Sequence, residues 1–334
     1  MTKRAYSQIE NLAWENSAKQ FIKSLEKIIV NYEEAIMDIC CIIVTYNRLQ
    51  LLKESINSVS MYKDKIKKII VVNNASTDGT TEYLDNICNS ENKLVHVKLE
   101  KNIGGSGGFY EGIKKSFEYN CDWVWIMDDD TIVKKGSLEN LIKPIEEVDN
   151  VGFVCSKVVW NDGNIHYMNI PQIKPIVKGI PFNRYEDYLV IDSCSFVSVL
   201  INTKAIRKVG LPYKEFFIWS DDTEYTQRIS NNGYIGLYSN KSLVEHRTGT
   251  NYNVDIHKDT KNNYWKYSYG IRNGLFIEKT NNKLKYGYKL MYNLFYLAPK
   301  ILFGNQENSK ELSKIIVKAT LKSINFNPKI DNIV

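Results

Sequence analysis

Residues 39–80, ICCIIVTYNRLQLLKESINSVSMYKDKIKKIIVVNNASTDGT, contain two short apolar runs with a helical pattern between them. The runs at 40–45 and 69–72 are rich in Ile, Val and Cys, whereas 49–60 has apolar residues at helical spacing. The same alternation continues along the chain, with predicted helices at 80–88 and 107–119 and predicted strands at 94–99 and 123–127. Because strands that alternate with helices at this spacing form βαβ units, we expect an α/β fold with a mostly parallel central sheet flanked by helices.

Polar segments follow the first four predicted strands. They are residues 46–48, 73–79, 101–105 and 128–130. In an open α/β sheet, ligands bind beyond the carboxyl ends of the strands. We therefore expect these four polar segments to meet in one crevice.

Three consecutive carboxylates, Asp128, Asp129 and Asp130, follow the apolar run at 123–127. Like charges a few ångströms apart repel each other unless a cation neutralises them. Mg²⁺ or Mn²⁺ would do so and would also stabilise the charge of a departing diphosphate. The alternative is a solvated acidic turn that caps a helix beginning at Ser137. The position at a strand end favours the metal.

Residues 102–108, NIGGSGG, place four glycines before a predicted helix. With no side chains in the way, backbone N–H groups there could approach a ribose or a phosphate. The spacing matches neither a Walker motif nor GxGxxG. A tight strand-to-helix turn explains this segment equally well when it is considered alone.

A second acidic pair, Asp221 and Asp222, follows Trp219 at the start of a predicted helix. Paired carboxylates beside aromatic side chains suit a general base that faces a hydroxyl nucleophile, and an indole offers a face on which a sugar can stack. Capping of the helix is the alternative. Farther along the chain, the imidazole of His246 could complete the metal shell, or it could be an ordinary surface histidine. No Ser-His-Asp or Cys-His pattern supports covalent catalysis.

In combination, these segments resemble the inverting family 2 glycosyltransferases, which have the GT-A fold. The resemblance covers roughly residues 39–275 and includes the strand-end segments VTYNR at 44–48 and VVNNASTDGT at 71–80. NIGGSGGF at 102–109 together with WIMDDD at 125–130 is especially similar to the branch that contains galactofuranosyltransferases and rhamnosyltransferases. That branch builds bacterial cell-surface polysaccharides.

The resemblance implies a role for each matched position. Donor binding would involve Thr45, Asn47, Arg48, Asn73, Asp78, Asn102, Gly104, Gly105, Asp128 and Asp129. A divalent cation, Mn²⁺ or Mg²⁺, would be held by Asp128, Asp130 and His246. The catalytic base would be Asp222 with Asp221 beside it, and the acceptor or sugar would contact Trp219 and Glu224. Because Asn73 stands where the family usually has an aspartate for the uracil edge, uridine and thymidine both stay open.

The implied reaction is a single displacement that inverts the anomeric configuration. The resemblance favours UDP-galactofuranose as the donor and a lipid-linked glycan as the acceptor, with residues 217–224 pointing modestly to galactofuranose. The alternative donor is dTDP-rhamnose. An inactive sugar-binding or scaffold protein on the same fold is a different class, and the intact Asp128, Asp130 and Asp222 argue against it.

The length of 334 residues, 43% of them hydrophobic, allows one large core with an appended region. We predict an N-terminal helical extension at 1–38, a catalytic domain at 39–275 and a basic helical region at 276–334. Six scattered cysteines without a CxxC pair indicate packing in a reducing compartment. The first twenty residues lack the apolar stretch of a signal peptide, so we expect a cytoplasmic location.

The C-terminal residues 281–334 contain nine lysines and three acidic residues, which equals the net charge of +6 of the whole chain. Residues 283–303 are apolar and aromatic, but lysines and a proline interrupt them, so they are too short to span a bilayer. Lysines then recur every four residues from 310 to 322, beside an apolar side. We expect this amphipathic helix to lie on an anionic membrane surface at the inner face of the cell membrane. Packing against the catalytic domain is the alternative.

The C-terminal region also bears on two other kinds of partner, nucleic acid and a second copy of the chain. The C-terminal region is poor in Arg and has no known nucleic-acid-binding motif, so we do not expect nucleic acid as a partner. A homo-oligomer stays open.

Overall fold

The computed structural model describes residues 37–173, 187–251, 254–304 and 307–333, together with residues 19 and 22. The strands are β1 (Ile39–Thr45), β2 (Ile66–Asn73), β3 (Leu94–Lys98), β4 (Trp123–Asp128), β5 (Thr131–Val133), β6 (Val151–Val159), β7 (Gln172–Ile173), β8 (Tyr188–Ser193), β9 (Val199–Asn202) and β10 (Ile235–His246). The helices are α1 (Leu49–Ser60), α2 (Thr80–Ser90), α3 (Gly104–Ser116), α4 (Ser137–Glu147), α5 (Thr203–Val209), α6 (Asp221–Asn231), α7 (Tyr264–Asn281), α8 (Lys283–Tyr292), α9 (Ala298–Leu302) and α10 (Ser309–Asn325). A π-helical turn, Asn293–Leu297, joins α8 to α9.

A mixed sheet forms the centre of the described chain. Its strand order is β3-β2-β1-β4-β9-β6-β10-β8-β7, and β5 pairs with β10. The strands β3, β2, β1 and β4 are all parallel, whereas β9 lies antiparallel between β4 and β6. The prediction of an α/β fold with a mostly parallel sheet is therefore confirmed for the half that contains the polar strand ends.

The central strands contain uninterrupted apolar runs because they are buried on both faces of the sheet. All seven residues of β1 are buried, as are five of the six residues of β4. A strand with helices on both sides of its sheet needs apolar side chains in both directions, which removes the usual alternation. The six cysteines all lie within the described residues and none of them forms a disulfide, as their scattered spacing predicts.

The glycine-rich segment allows helix α3 to pack closely on β1. A Cβ added at Gly108 would lie 2.4 Å from Val44, and one at Gly112 would lie 2.5 Å from Ile42. The helix begins at Gly104, earlier than predicted, and this residue has φ of +79°. Packing and a tight turn thus account for most of these glycines.

The pairing of β5 with β10 brings the distant His246 to the end of β4. The two strands are antiparallel, and His246 lies opposite Thr131. The next residue, Arg247, donates its backbone N–H to the carbonyl oxygen of Asp130 at 2.9 Å. A short strand after the acidic turn therefore places an imidazole beside the carboxylates.

The C-terminal helices pack on one another. Leu312 and Ile316 of α10 are buried in a cluster with Tyr264 and Tyr267 of α7. The apolar side of α10, which we expected on a membrane surface, is thus used for packing inside the protein. Within the described residues, no helix is both long enough and apolar enough to cross a membrane.

The division of the chain into three parts stays a prediction. Residues Met1–Asp38 and Ile39–Val334 form two separate units. The predicted N-terminal helical extension, 1–38, lies outside the described residues apart from 19, 22, 37 and 38. Helix α7 runs across the predicted boundary between residues 275 and 276.

Candidate active site

Two carboxylates and an imidazole meet at the end of β4. The atoms of Asp128, Asp130 and His246 that can bind a metal lie within 4.8 Å of one another. Nε2 of His246 is 3.0 Å from Oδ1 of Asp130, and both side chains are buried. The structure thus brings together the three residues that were predicted as metal ligands.

Burial and crowding shift the pKa values in this cluster. Burial and the charge of Asp130 raise the pKa of Asp128 to about 8. Burial by itself lowers the pKa of His246, but the contact with Asp130 outweighs it and the pKa is raised. Burial also acts to raise the pKa of Asp130, yet His246 and Arg48 leave that pKa lowered. A cluster that takes up protons to reduce its charge can be neutralised by a divalent cation instead.

The atoms that face the centre of the cluster fit a divalent cation. Oδ1 of Asp130 is buried and accepts no hydrogen bond of good geometry from any of the described residues. On the other side of the imidazole, Nδ1 of His246 is 2.8 Å from Oδ1 of Asn169. Because an amide oxygen only accepts, Nδ1 carries a proton and Nε2 is the nitrogen that faces the carboxylates. Two carboxylates and an oriented imidazole are a donor set that Mg²⁺ and Mn²⁺ accept.

Asp129 is not one of the three clustered residues, and it joins two loops. Its carboxylate accepts hydrogen bonds from Oγ1 of Thr45 at 2.7 Å and from Nη1 of Arg48 at 3.3 Å. The same Nη1 donates to Oδ2 of Asp130 at 2.6 Å. Burial raises the pKa of Asp129 to about 6, although Arg48 opposes this shift. Asp129 and Arg48 therefore tie the loop after β1 to the turn after β4.

Two cavities adjoin at Asp128. The first has a volume of about 530 Å³ and lies at the ends of β1 and β4. The second has a volume of about 300 Å³ and lies between the metal-ligand cluster and the start of α6. Both are lined by Arg48, Gly105, Asp128, Ile218 and Lys266. A molecule in one cavity would therefore reach a molecule in the other at the metal-ligand cluster.

Most residues predicted to bind the donor line the first cavity. They are Thr45, Arg48, Asn102, Gly104, Gly105, Asp128 and Asp129. Asn47 and Asp78 line neither of the two cavities and instead hold the neighbouring loops. Oδ1 of Asn47 accepts the backbone N–H of Thr77 at 2.7 Å, and Oδ2 of Asp78 accepts the backbone N–H of Leu49 at 2.9 Å.

Asn73 and Asn74 are adjacent in sequence but have different contacts, which the sequence does not reveal. Asn73 is buried, and its Oδ1 accepts the backbone N–H of Ser76 at 2.9 Å. Asn74 lines the first cavity. Its amide donates to the carbonyl oxygen of Gly104 at 2.9 Å and accepts the backbone N–H of Ile103 at 2.8 Å. Asn74, which was not predicted as a site residue, therefore connects the second and third strand-end loops.

Asp221 and Asp222 open helix α6 and line the second cavity. Burial and the charge of Asp222 raise the pKa of Asp221 to about 7. Burial raises the pKa of Asp222 as well, although Thr223 donates its backbone N–H to the carboxylate at 2.6 Å. Carboxyl groups with raised pKa values are suited to proton transfer near neutral pH.

The loop before α6 has a strained backbone that helix α7 holds in place. Positive φ angles of 67°, 67° and 69° occur at Phe217, Trp219 and Ser220. Nδ2 of Asn273 lies 3.0, 3.2 and 2.9 Å from the carbonyl oxygens of Phe216, Ile218 and Trp219. Non-glycine residues with positive φ cost free energy, and they cluster where surrounding contacts enforce them. The buried Asn273 is such a contact, and the sequence analysis did not identify it.

The two residues predicted to contact the acceptor lie in different places. Trp219 lines the second cavity, and its ring meets that of Tyr267 edge to face with centroids 5.1 Å apart. Glu224 lines neither cavity. Its carboxylate is paired with Arg228 at 3.0 and 3.1 Å, with both side chains largely buried. In this structure the contacts of Glu224 are those of a packing residue.

Helix α7 contributes three cavity residues that sequence reasoning missed. Trp265, Lys266 and Tyr269 line the first cavity, and Lys266 also lines the second. Burial and the nearby Arg48 lower the pKa of Lys266. Aromatic residues with one lysine are typical of any packed helix, so the sequence has no signal that places these side chains at the site.

Comparison with known proteins assigns the chain to a family. Residues 40–210, just over half of the chain, match the family model for glycosyl transferase family 2. The chain belongs to glycosyl transferase family 2. This family 2 chain is 24% identical over 209 residues to galactofuranosyltransferase GlfT1 of Mycolicibacterium smegmatis (strain ATCC 700084 / mc(2)155). The matched segment covers 58% of this chain and 66% of that relative. The predicted family is confirmed.

Two solved structures have the same fold as this family 2 chain. The crystal structure of GalNAc-T7 with UDP, GalNAc and Mn²⁺ has a TM-score of 0.58 at 15% identity and covers 87% of this chain and 57% of that one. The crystal structure of S. aureus TarS 1-349 in complex with UDP has a TM-score of 0.56 at 16% identity, with 86% and 81% covered. The predicted GT-A fold is therefore confirmed.

Proposed function

We propose that this family 2 chain is an inverting glycosyltransferase that moves a sugar from a nucleoside diphosphate sugar to a hydroxyl group. The observation that carries the proposal is the meeting of two different carboxylate sites at adjoining cavities. Of the three clustered residues, Asp128 lines both cavities, whereas Asp130 and His246 line the second. Asp221 and Asp222 also line the second cavity. One site suits a diphosphate and the other suits an acceptor hydroxyl.

The first cavity would hold the nucleotide, with the diphosphate beside Asp128. A divalent cation on Asp128, Asp130 and His246 would stabilise the negative charge that develops on the departing diphosphate. Arg48 and Lys266 line both cavities and add positive charge from the protein. A diphosphate beside Lys266 would offset the effect that burial has on its pKa.

The second cavity would hold the acceptor. Asp222 takes the proton of the acceptor hydroxyl. At the same time the hydroxyl oxygen forms a bond to the anomeric carbon, and the bond from that carbon to the diphosphate breaks. Because burial raises the pKa of Asp222, its carboxylate is a stronger base than a solvated aspartate. Trp219 offers an aromatic face to the sugar ring of the acceptor.

UDP-galactofuranose is the donor that we favour, and a lipid-linked glycan is the favoured acceptor. The similarity to the mycobacterial galactofuranosyltransferase supports this choice. The alternative is dTDP-rhamnose. Mn²⁺ is the first cation to test because it is present with UDP in the GalNAc-T7 structure, and Mg²⁺ is the second.

Nucleoside diphosphate release from a panel of uridine and thymidine diphosphate sugars, with and without lipid-linked acceptors, tests the proposal. We expect activity with Mn²⁺ or Mg²⁺, its loss in excess chelator, and recovery when the cation is restored. Asp128→Asn should abolish most of the activity, whereas Asp149→Asn, at an exposed aspartate away from both cavities, should leave it unchanged.

Absence of turnover with every donor, while isothermal titration still detects donor binding, would favour the inactive sugar-binding protein. Full activity in excess chelator would contradict the role of the metal.

A further inference from the structure

The segment from α8 to α9 has an apolar side that is open to solvent. Eight exposed side chains form it: Leu284, Tyr288, Met291, Tyr292, Phe295, Tyr296, Leu302 and Phe303. We call this set the α8–α9 stripe. Leu284 is 88% exposed, Phe295 70% and Phe303 83%. A group of neighbouring large apolar side chains that are this exposed is unusual in a folded protein.

The α8–α9 stripe is continuous along one side of the segment. Its members follow one another at helical spacing through α8 and the π-helical turn, so they share a face. The rings of Tyr288 and Tyr292 stack at 6.3 Å, and those of Tyr292 and Tyr296 lie 5.0 Å apart. The opposite side of the segment packs inward through the buried Ala298 and Ile301. A contiguous exposed apolar patch of this kind marks an interaction surface.

The charges around the stripe indicate which partner it fits. Residues 283–304 contain four lysines, namely Lys283, Lys285, Lys289 and Lys300, and no acidic residue. Glu278 of α7 pairs with both Lys285 and Lys289, so a single negative charge offsets one of the four positive charges. Lys300 also lies over the ring of Tyr296, 5.4 Å from its centroid. The stripe is therefore apolar, aromatic and bordered by net positive charge.

A second copy of the chain is a poor match for such a surface. In a twofold contact the same patch meets itself, so lysines of one copy would approach lysines of the other. A bilayer surface with anionic lipids complements both properties, because apolar and aromatic side chains enter the interface while lysines meet the head groups. We infer that the α8–α9 stripe docks this protein on an anionic lipid surface.

The stripe replaces α10 as the docking element. The apolar side of α10 is used up by packing, since Leu312 and Ile316 are buried. Two exposed apolar residues, Leu321 and Ile324, remain near its C-terminal end at 49% and 46% exposure. Lysine spacing in the sequence favoured α10, but solvent exposure favours α8 and α9.

The segment that carries the stripe packs on α7, the helix that lines the first cavity. Ala298 and Ile301 of α9 pack with Tyr264 and Tyr267 of α7. Between these two tyrosines, Trp265 and Lys266 line the first cavity. If the transfer reaction proposed above is correct, docking through this stripe brings the site close to acceptors carried on lipid.

Vesicle sedimentation of the full-length protein tests the inference without donor or acceptor, so its outcome is separate from that of the transfer reaction. The probes are vesicles of phosphatidylcholine alone and vesicles of phosphatidylcholine and phosphatidylglycerol in equal parts. We expect binding to the anionic vesicles that weakens in high salt. The double variant Leu284→Glu/Phe295→Glu should lower the partition coefficient at least about tenfold.

The matched control is Leu321→Glu/Ile324→Glu, which makes the same charge change at exposed apolar positions of α10 and should bind like the wild type. A second variant, Lys283→Gln/Lys300→Gln, keeps the apolar side and should weaken anionic binding by about fivefold per lysine. Circular dichroism and urea unfolding verify that each variant is folded.

Four results would overturn the inference. Three of them are no vesicle binding by the wild type, equal loss in the α10 control, and a wild-type oligomer that the stripe variant converts to monomer. The last of these three would assign the stripe to a second copy. The fourth is binding at the wild-type level by both the stripe variant and the lysine variant.

Discussion

Two runs of adjacent aspartates, Asp128–Asp130 and Asp221–Asp222, are alike in sequence and differ in their surroundings. The first follows a strand buried on both faces, and Arg48 and His246 contact its carboxylates directly. The second opens a helix after a loop with left-handed backbone, and burial dominates the pKa of both of its carboxyl groups. Adjacent aspartates do not define a role by themselves, because the neighbouring charges decide whether they bind a cation or accept a proton.

The largest expected effect separates the base from the metal ligands. Asp222→Asn should lower kcat by about 10²–10⁴-fold, since an amide cannot accept the proton of the acceptor. Cation affinity, measured by the paramagnetic effect of Mn²⁺ on water relaxation, should stay unchanged. Asp149→Asn is the control. A fall in Mn²⁺ affinity equal to the fall in kcat would merge the two aspartate runs into one site.

The next effect concerns the residue that orients His246. Asn169→Ala removes the oxygen that lies 2.8 Å from Nδ1, so the ring loses its fixed orientation. Cation affinity should weaken by about 10–100-fold. Ser195→Ala removes only the hydroxyl that accepts from the amide of Asn169, and it should have a much smaller effect. Equal Mn²⁺ affinity in the wild type and Asn169→Ala would show that the metal does not use His246.

A third change targets the loop that presents the second aspartate pair. Asn273→Ala leaves three carbonyl oxygens of the loop without their amide donor. We expect the free energy of unfolding to fall by about 1–3 kcal/mol. The KM for the acceptor should rise because the loop carries Trp219, and the KM for the donor should rise less, although Ile218 of the same loop lines both cavities. Denaturant unfolding and steady-state kinetics measure both effects, and a rise confined to the donor KM would contradict the assignment.

The last effect is a difference in pH dependence. The pKa of Asp221 is raised to about 7 in the folded protein, far above that of an aspartate in the unfolded chain. The folded state therefore holds a proton that the unfolded state releases, so stability falls as pH rises from about 4 to 7.

Asp221→Asn should remove this contribution, which is at most about 1.4 kcal/mol for each pH unit. Urea unfolding at several pH values measures it. Parallel pH profiles of the wild type and the variant would show that Asp221 is not the group that titrates.

The comparison also shows how far each kind of residue could be predicted. The metal-ligand cluster was predictable because its carboxylates follow an apolar strand, and strand ends gather at one edge of a parallel sheet. Asn74, Lys266 and Asn273 were not, since asparagine and lysine are common in loops and helices that have no site. Glu224 was misleading in the opposite way, because its sequence position beside Asp222 does not reveal its partner Arg228.

In the C-terminal region, too, the sequence predicts a helix but not which of its surfaces is exposed. The lysine spacing from 310 to 322 correctly indicates an amphipathic helix, and α10 occupies that segment. An amphipathic pattern does not specify what covers the apolar side, and here α7 and α9 cover it. The apolar side that is exposed to solvent lies in residues 283–303. Apolar residues occur all around this segment, so the sequence does not predict which side is exposed.

The sequence by itself determined the α/β class, the family resemblance and the positions of both aspartate runs, because periodicity and strand-end chemistry are local properties of the chain. Only the tertiary structure decided that α7 lines the cavities, that Asn273 holds the loop before α6, and that the α8–α9 stripe remains exposed. These features depend on contacts between segments far apart in the chain, and such contacts leave no periodic signal in either partner.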